Sequence, residues 1–293
     1  MNVGAKATSM APMPEISIVS AAPRVQKWYF AANLNALINA FDQIEVAVKS
    51  AIINTSLRPY ALIDNREDLT PAADRLRWLE RAGVTIIPHR AELFDMVRYH
   101  YGPQSDVFSG HWLRCDIPMI ETEAEFVLYT DIDVMFRQEF DFSKIRPPFL
   151  ACAPEHHQDD FSYFNSGVMV MNLAALRATR SELQQTLQAQ LGIIKAHNDQ
   201  RIFNLVYADR WTRLPNRYNW KPYWGFDPTA AVTHFHGPKP SFVPRLLSGQ
   251  GGEFSDAFHK IFRRNPDGYA RYLAEFNRVL TTGISIQEFA SGR

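Results

Sequence analysis

The first ninety residues alternate between apolar blocks and amphipathic ones. VQKWYFAAN is aromatic and apolar until two small residues and Asn33, the pattern of a buried strand opening into a loop. Residues 36–53 space their apolar positions as one helix packed on a sheet, and NTSLRP breaks it. YALIDN then predicts a short strand, PAADRLRWLERAG a helix stopped at Gly83, and VTIIPHR a third strand. Strand, helix, strand, helix, strand predicts an α/β domain with a mostly parallel sheet. In such sheets the ligand site lies in loops at the carboxyl ends of the strands.

The middle of the chain is less regular. SGHWLRCDIPMI mixes apolar residues with an arginine and a proline. In EAEFVLYTDIDVMF, a buried-type strand over residues 126–129 runs directly into Asp131 and Asp133. PPFLACAPE and FNSGVMVMNLAAL predict two more strands, the second leading into a helix, and HNDQRIFNLVYADR has helical spacing. Residues 213–237 are rich in proline, aromatic residues and turn formers, and predict a loop. FSDAFHKIFRR and YARYLAEFNRVL are helical in pattern. The expected organisation is a flexible leader over residues 1–24, one main domain over 25–243 and a small helical extension over 244–293.

Composition narrows the classes. With 293 residues and 46% of them apolar, the chain is long enough for one large core and is not a disordered one. Zero formal net charge gives no support for nucleic-acid binding. Two cysteines, Cys115 and Cys152, make no disulfide framework or zinc cluster, and a reducing compartment is the simpler expectation. No apolar block has the length of a signal peptide or membrane helix. The expectation is a soluble cytoplasmic protein, with peripheral contact at the inner face of a membrane left open.

Two segments carry candidate chemistry. Asp131 and Asp133 stand two apart, so an extended chain aims both carboxylates to one side, where they can chelate a hard divalent cation. In THFHGPKP, His234 offers a neutral nitrogen to such a cation and Lys239 a mobile charge to a phosphate oxygen, while Gly237 permits close backbone approach. Asp131, Asp133 and His234 together suit Mn²⁺ or Mg²⁺ bridged to a diphosphate. A rival exists. A hydrophobic strand followed by D-x-D also opens phosphohydrolases of the haloacid dehalogenase type, where it lies on the first strand. Here about a hundred residues of α/β pattern precede it, and the expected lysine segment with an acidic pair is missing.

The motifs in their order resemble the retaining glycosyltransferases of family 8, which include bacterial lipopolysaccharide galactosyl- and glucosyltransferases and glycogenin. The resemblance runs from about Tyr29 to Lys239. FAANLN is similar to the family's first strand and nucleotide-binding loop, which assigns Ala31, Asn33 and Asn35 to the donor; the family often has aspartate at Asn33 and tyrosine at Ala36. HWLRCDIP resembles the segment that brings Arg114 to the donor. YTDIDVMF resembles the metal motif, with Asp131 and Asp133 as ligands and Ile132 against the nucleotide. YFNSGVMVMNL resembles the strand lining the sugar pocket, with Asn165, Ser166 and Gly167. HNDQRIFN resembles the D-Q pair, with Asp199 on donor-sugar hydroxyls and Gln200 near the anomeric carbon. HFHGPKP resembles the terminal motif, with His234 on the metal and His236, Gly237 and Lys239 on the diphosphate; the spacing to the lysine is one residue shorter, and Ser241 replaces a tryptophan.

The resemblance implies a single Rossmann-like domain of the GT-A type with a mixed, mostly parallel sheet. It implies transfer of a hexosyl group from a UDP-sugar to an acceptor hydroxyl of a saccharide or glycolipid, with retention and with Mn²⁺ or Mg²⁺. Gln200 is a poor nucleophile, which favours front-face transfer over a covalent route through Asp199. A nucleotide-sugar binding protein without catalysis stands as the alternative. The C-terminal helices carry Lys260, Arg263 and Arg264, with Phe258 and Phe262 four apart on one face. Those rings either rest on an anionic membrane or pack on the main domain. Sugar, acceptor and oligomeric state stay open.

Overall fold

The computed structural model describes residues 26–283, so the expected leader over residues 1–24 lies outside the described residues. Among the described residues nine strands form two sheets. They are β1 (Lys27–Ala32), β2 (Arg58–Asp64), β3 (Thr85–His89), β4 (Phe126–Thr130), β5 (Val134–Phe136), β6 (Leu150–Pro154), β7 (Phe164–Asn172), β8 (Trp211–Arg213) and β9 (Val232–His234). The larger sheet has the order β3-β2-β1-β4-β7-β6-β8, and β5 pairs with β9 in a small one. β3, β2, β1 and β4 run parallel, and β7 lies antiparallel to both β4 and β6. The sheet is therefore mixed and mostly parallel, and the domain is α/β.

The strand order places the site. From β1 the chain builds outward through β2 to β3, then returns to lay β4 on the other side of β1. The direction of winding reverses between β1 and β4, and a crevice opens there beyond their carboxyl ends. Those ends lead into Asn33 and Asp131.

The central strands are buried on both faces, which is why they read as continuous apolar runs. Their side chains still alternate. Tyr29 and Ala31 of β1 join Val127 and Tyr129 of β4 and Met169 and Met171 of β7 on one face. Trp28, Phe30, Leu128, Val168 and Val170 meet on the other.

The helices are, in chain order, α1 (Leu34–Asn39), α2 (Phe41–Asn54), α3 (Ala73–Arg81), α4 (Phe94–Tyr101), α5 (Ser109–Trp112), α6 (Ile117–Ile120), α7 (Leu173–Ala178), α8 (Arg180–Gln190), α9 (Asp199–Tyr207), α10 (Val243–Leu247), α11 (Asp256–Phe262) and α12 (Pro266–Thr281). The single helix expected over residues 36–53 is two. Ala40 leaves the helical region at φ −136°, and Asn33 caps the first piece by accepting the Ala36 N–H. The irregular middle is a series of short helical turns that ends in α6.

α2 is covered on two sides. Ile44, Ala47, Val48 and Ala51 face the sheet. Val46 faces a third cluster with Met135, Phe235, Phe262, Tyr269, Tyr272 and Phe276. Lys49 of α2 donates to Leu280 O at the end of α12 (2.6 Å), where the helix dipole favours a cation. The C-terminal helices thus pack onto the rest of the chain. Phe262 is buried in that cluster, and Phe258 sits beside Phe242 with ring centroids 6.1 Å apart. Phe262 thus packs in the fold, and Phe258 is half-buried against Phe242. No helix among the described residues is long and apolar enough to cross a membrane.

One polar cluster ties β1 to the loop before β4. Glu121 accepts from Tyr29 Oη (2.5 Å), Lys27 Nζ (2.8 Å) and the backbone N–H groups of Glu123 and Ala124. Burial alone would raise its pKa. The hydrogen bonds from Lys27, Tyr29 and the two backbone groups outweigh it and pull the carboxyl down to about 2. A depressed folded pKa contributes stability above the unfolded value, and that contribution fades as pH falls from the ordinary 4.5 toward 2. The urea midpoint of the wild type is expected to drop over this window. Glu121→Gln is expected to start lower at neutral pH and show a flatter profile. Parallel profiles for the two proteins would remove this account of Glu121.

Candidate functional site: an aspartate–histidine cluster at the strand crossover

β4 and β5 are interrupted by a bend at Ile132 and Asp133. The two aspartates therefore do not converge by staying extended, as the spacing alone suggested. The bend is fixed from both sides: Asp131 N–H donates to Gly167 O of β7 (2.8 Å), and Asp133 O accepts from Phe235 N–H just beyond β9 (2.9 Å). The pairing of Val134 with His234 then brings the end of β9 against the bend. His234 Nε2 lies 3.3 Å from Asp133 Oδ1 and 3.9 Å from Asp131 Oδ2. One ligand atom from each of Asp131, Asp133 and His234 falls within 4.8 Å of the others.

The electrostatics suit a cation. Burial disfavours charge on His234 and lowers its pKa, which favours the neutral imidazole that a cation requires of a nitrogen ligand. Burial would push Asp133 up, but the Lys239 ammonium on its Oδ2 holds it far below the usual carboxylate range. Lys239 Nζ sits on Asp133 Oδ2, leaving Oδ1 toward the histidine. The donor set is two carboxylates and one imidazole, which Mn²⁺ and Mg²⁺ both accept.

Arg114 closes the other side. Its Nη1 donates to Asp131 Oδ1 (3.0 Å) and Ser166 O (2.8 Å), and its Nε–H points to His111 O (3.1 Å). Asp199 Oδ2 is 2.6 Å from the same Nε, a charge contact in which that oxygen receives no aligned hydrogen bond. Burial raises the Asp199 pKa, and the nearby guanidinium only partly offsets it. Tyr129, two residues before Asp131, also donates to Asp131 Oδ1 (2.9 Å).

The cluster opens on a cleft of about 400 Å³. Its walls include Ala31, Asn33, Asn35, Arg114, Asp131, Ile132, Asp133 and Lys239, all singled out from sequence. Asn33 contributes differently from expectation. Its Oδ1 caps α1, and its Nδ2 donates to Asp106 O, Val107 O and Ser109 Oγ. Those bonds take up the side chain, so it shapes the wall more than it offers free polar atoms. Ala36, Ala40 and Gly110 leave room beside it.

The remaining sequence candidates stand behind this wall or away from it. Gln200 Oε1 accepts from Ser166 N–H (2.8 Å), Ser166 Oγ (3.1 Å) and Asn165 Nδ2 (3.3 Å). A Cβ on Gly167 would stand 2.2 Å from His234 Cε1 and 2.8 Å from Asp131 Oδ2, so glycine is required for the cluster to close. His236 and Gly237 do not line the cleft. His236 Nε2 meets Glu155 Oε1 (2.9 Å) and Nδ1 meets Tyr223 Oη (3.2 Å), while Gly237 turns the chain at φ +89°.

Sequence reasoning missed Glu155, Asn219 and Tyr129. Tyr129 was findable, since alternation on β4 puts it on the same face as the following aspartate. Glu155 and Asn219 reach the cluster only through tertiary contacts.

With the geometry in place, the likeness to known proteins can be stated. The model of the family described as glycosyl transferase family 8 matches residues 151–240. The glycosyltransferase GlyB of Streptococcus pneumoniae serotype 4 (strain ATCC BAA-334 / TIGR4) is 27% identical over 215 residues, 69% of this chain and 50% of GlyB. Glucoside xylosyltransferase 1 of Homo sapiens is 25% identical over 150 residues, 44% of this chain and 31% of that protein. The chain thus spans half or less of the length of these curated relatives. Among solved structures, the galactosyltransferase LgtC in complex with donor and acceptor sugar analogs superposes with a TM-score of 0.59 at 19% identity, over 90% of this chain and 99% of that one. That likeness is one of fold, and the fold is of the GT-A type.

Proposed function

We propose that this chain, a family 8 glycosyltransferase, moves a hexosyl group from a UDP-sugar to a hydroxyl of a saccharide or glycolipid, with retention and with Mn²⁺ or Mg²⁺ held by Asp131, Asp133 and His234. The observation that carries the proposal is the meeting of those three side chains with Lys239 at the edge of a 400 Å³ cleft, at the crossover between β1 and β4. We take residues 25–243 as the catalytic domain and 244–293, helical over its described part, as its extension, and we place the protein in the cytoplasm.

In this reading the uracil and ribose lie along Ala31, Asn33, Asn35 and Ala36, where small side chains leave room. When bound, the divalent ion supplies positive charge against the departing diphosphate. Lys239 leaves Asp133 for a phosphate oxygen, where its charge stabilises the leaving group. Arg114, braced by Asp131 and Asp199, faces the donor sugar from the other wall.

The hydrogen bonding of Gln200 supports front-face transfer. Its oxygen already accepts three bonds, and an amide so engaged is not a nucleophile. Asp199 is buried against Arg114 and is equally unsuited to leave its partner. The acceptor proton then passes to the leaving phosphate oxygen, on the face where the new bond forms.

The test is release of UDP from a panel of UDP-hexoses with Mn²⁺ and no acceptor. Slow hydrolysis of one donor, absent when the metal is chelated, is the expected result. Equal silence of all donors, joined to a lack of UDP binding, would defeat the proposal.

A further inference from the structure

We infer that Asn219 fixes which nitrogen of His234 faces the cation site, through a chain of hydrogen bonds that starts at a backbone N–H. This role rests on the cation-site proposal for Asp131, Asp133 and His234.

The chain of donors and acceptors has one consistent polarity. Gly167 N–H can only donate, and it lies 3.1 Å from Asn165 Oδ1. The ionised Glu155 carboxylate can only accept, and Asn165 Nδ2 reaches its Oε2 at 2.8 Å. These contacts at opposite ends of one amide leave Asn165 a single orientation. The Asn219 atom 2.9 Å from Asn165 Oδ1 must then be a donor, so it is Nδ2. Asn219 Oδ1 consequently faces His234 Nδ1 at 3.0 Å and accepts from it. With a cation between His234 and the carboxylates, the ring is held with its proton on Nδ1 and its Nε2 turned toward Asp133 and Asp131.

Every member of this chain is buried: Asn219 is 0% exposed, Asn165 1% and His234 1%. Water therefore offers no replacement partner, and the polarity set at Gly167 is carried intact to the imidazole. Asn219 touches neither donor nor acceptor in this reading. It is a positioning residue, and its effect is exerted on the metal through His234. Groups that orient a metal-binding histidine through its second nitrogen typically change metal affinity by about 10- to 100-fold when removed.

The experiment uses the full chain in two forms, wild type and Asn219→Leu, with Mn²⁺ alone as probe. Electron paramagnetic resonance titration without nucleotide is expected to show a dissociation constant about 10- to 100-fold higher in the variant. Nitrogen-15 NMR of the imidazoles in wild type saturated with diamagnetic Mg²⁺ is expected to show the His234 proton on Nδ1. A proton on Nε2 in the wild type would overturn the inference, and this reading needs no variant to fold. Mn²⁺ bound equally by wild type and folded Asn219→Leu would overturn the role of Asn219 alone. A wild type that binds no Mn²⁺ would overturn the cation site, and this role with it.

Discussion

Asp133→Asn is expected to lower sugar transfer by about 10³-fold or more, measured as the initial rate of UDP release at saturating donor and fixed Mn²⁺. The substitution keeps the shape of the side chain and removes its charge. Asp133 is engaged at both oxygens, facing His234 with one and Lys239 with the other. It is 4% exposed, and the charge of Lys239 keeps it ionised in spite of that burial. An asparagine would offer a neutral oxygen to the cation and an N–H to one of its neighbours. A stabilisation of several kcal/mol from a bound divalent ion corresponds to about three decades in rate, since each 1.4 kcal/mol is about tenfold. Raising Mn²⁺ is expected to recover part of the activity, because the weakened site still keeps Asp131 and His234. Wild-type rates in Asp133→Asn would separate this carboxylate from the chemistry.

Gly167→Ala is expected to abolish Mn²⁺-dependent activity with the fold retained. No backbone strain is involved, since Gly167 is not among the glycines at positive φ. The conflict is purely one of space. The new methyl would fall 2.2 Å from His234 Cε1, 2.8 Å from Asp131 Oδ2 and 3.0 Å from Asn165 Oδ1. Carbon atoms do not approach so closely, so either β7 or the imidazole must move. β7 is paired on both edges, and His234 is the freer partner. Overpacking of this kind costs about 1–3 kcal/mol of stability, which a domain of this size survives. The geometry of three ligands within 4.8 Å does not survive it. Circular dichroism is expected to remain native while UDP release falls to background. Full activity in Gly167→Ala would show that the cluster tolerates displacement of the histidine.

The sheet was legible in the sequence because its central strands are long and continuously apolar. The stretch from Trp28 to Ala32 and the stretch from Val127 to Tyr129 admit no other use of their side chains. The D-x-D motif was legible for the same reason, as two carboxylates ending such a strand. Its geometry was not. The aspartates converge because the chain bends after Thr130 and is held by Gly167 and Phe235, contacts with no signature near residue 131. Residues 36–53 gave one continuous helical pattern, and the break at Ala40, where the backbone leaves the helical region, leaves no mark in that pattern. Asn33 itself shows how a correctly placed residue can differ in use, for its amide is occupied by α1 and by the loop around Val107. The polar chain through Glu155, Asn165 and Asn219 joins residues up to 64 positions apart. Nothing local marks Asn219 off from the other asparagines in its loop.

The most direct measurement is calorimetric titration of the wild-type chain with UDP, in the presence of Mn²⁺ and again with the metal chelated. If Asp131, Asp133 and His234 hold a cation that bridges to the diphosphate, UDP is expected to bind at least tenfold more tightly with Mn²⁺, and Asp133→Asn is expected to lose that difference. Binding of UDP with the same affinity in both conditions, or no binding in either, would contradict the account.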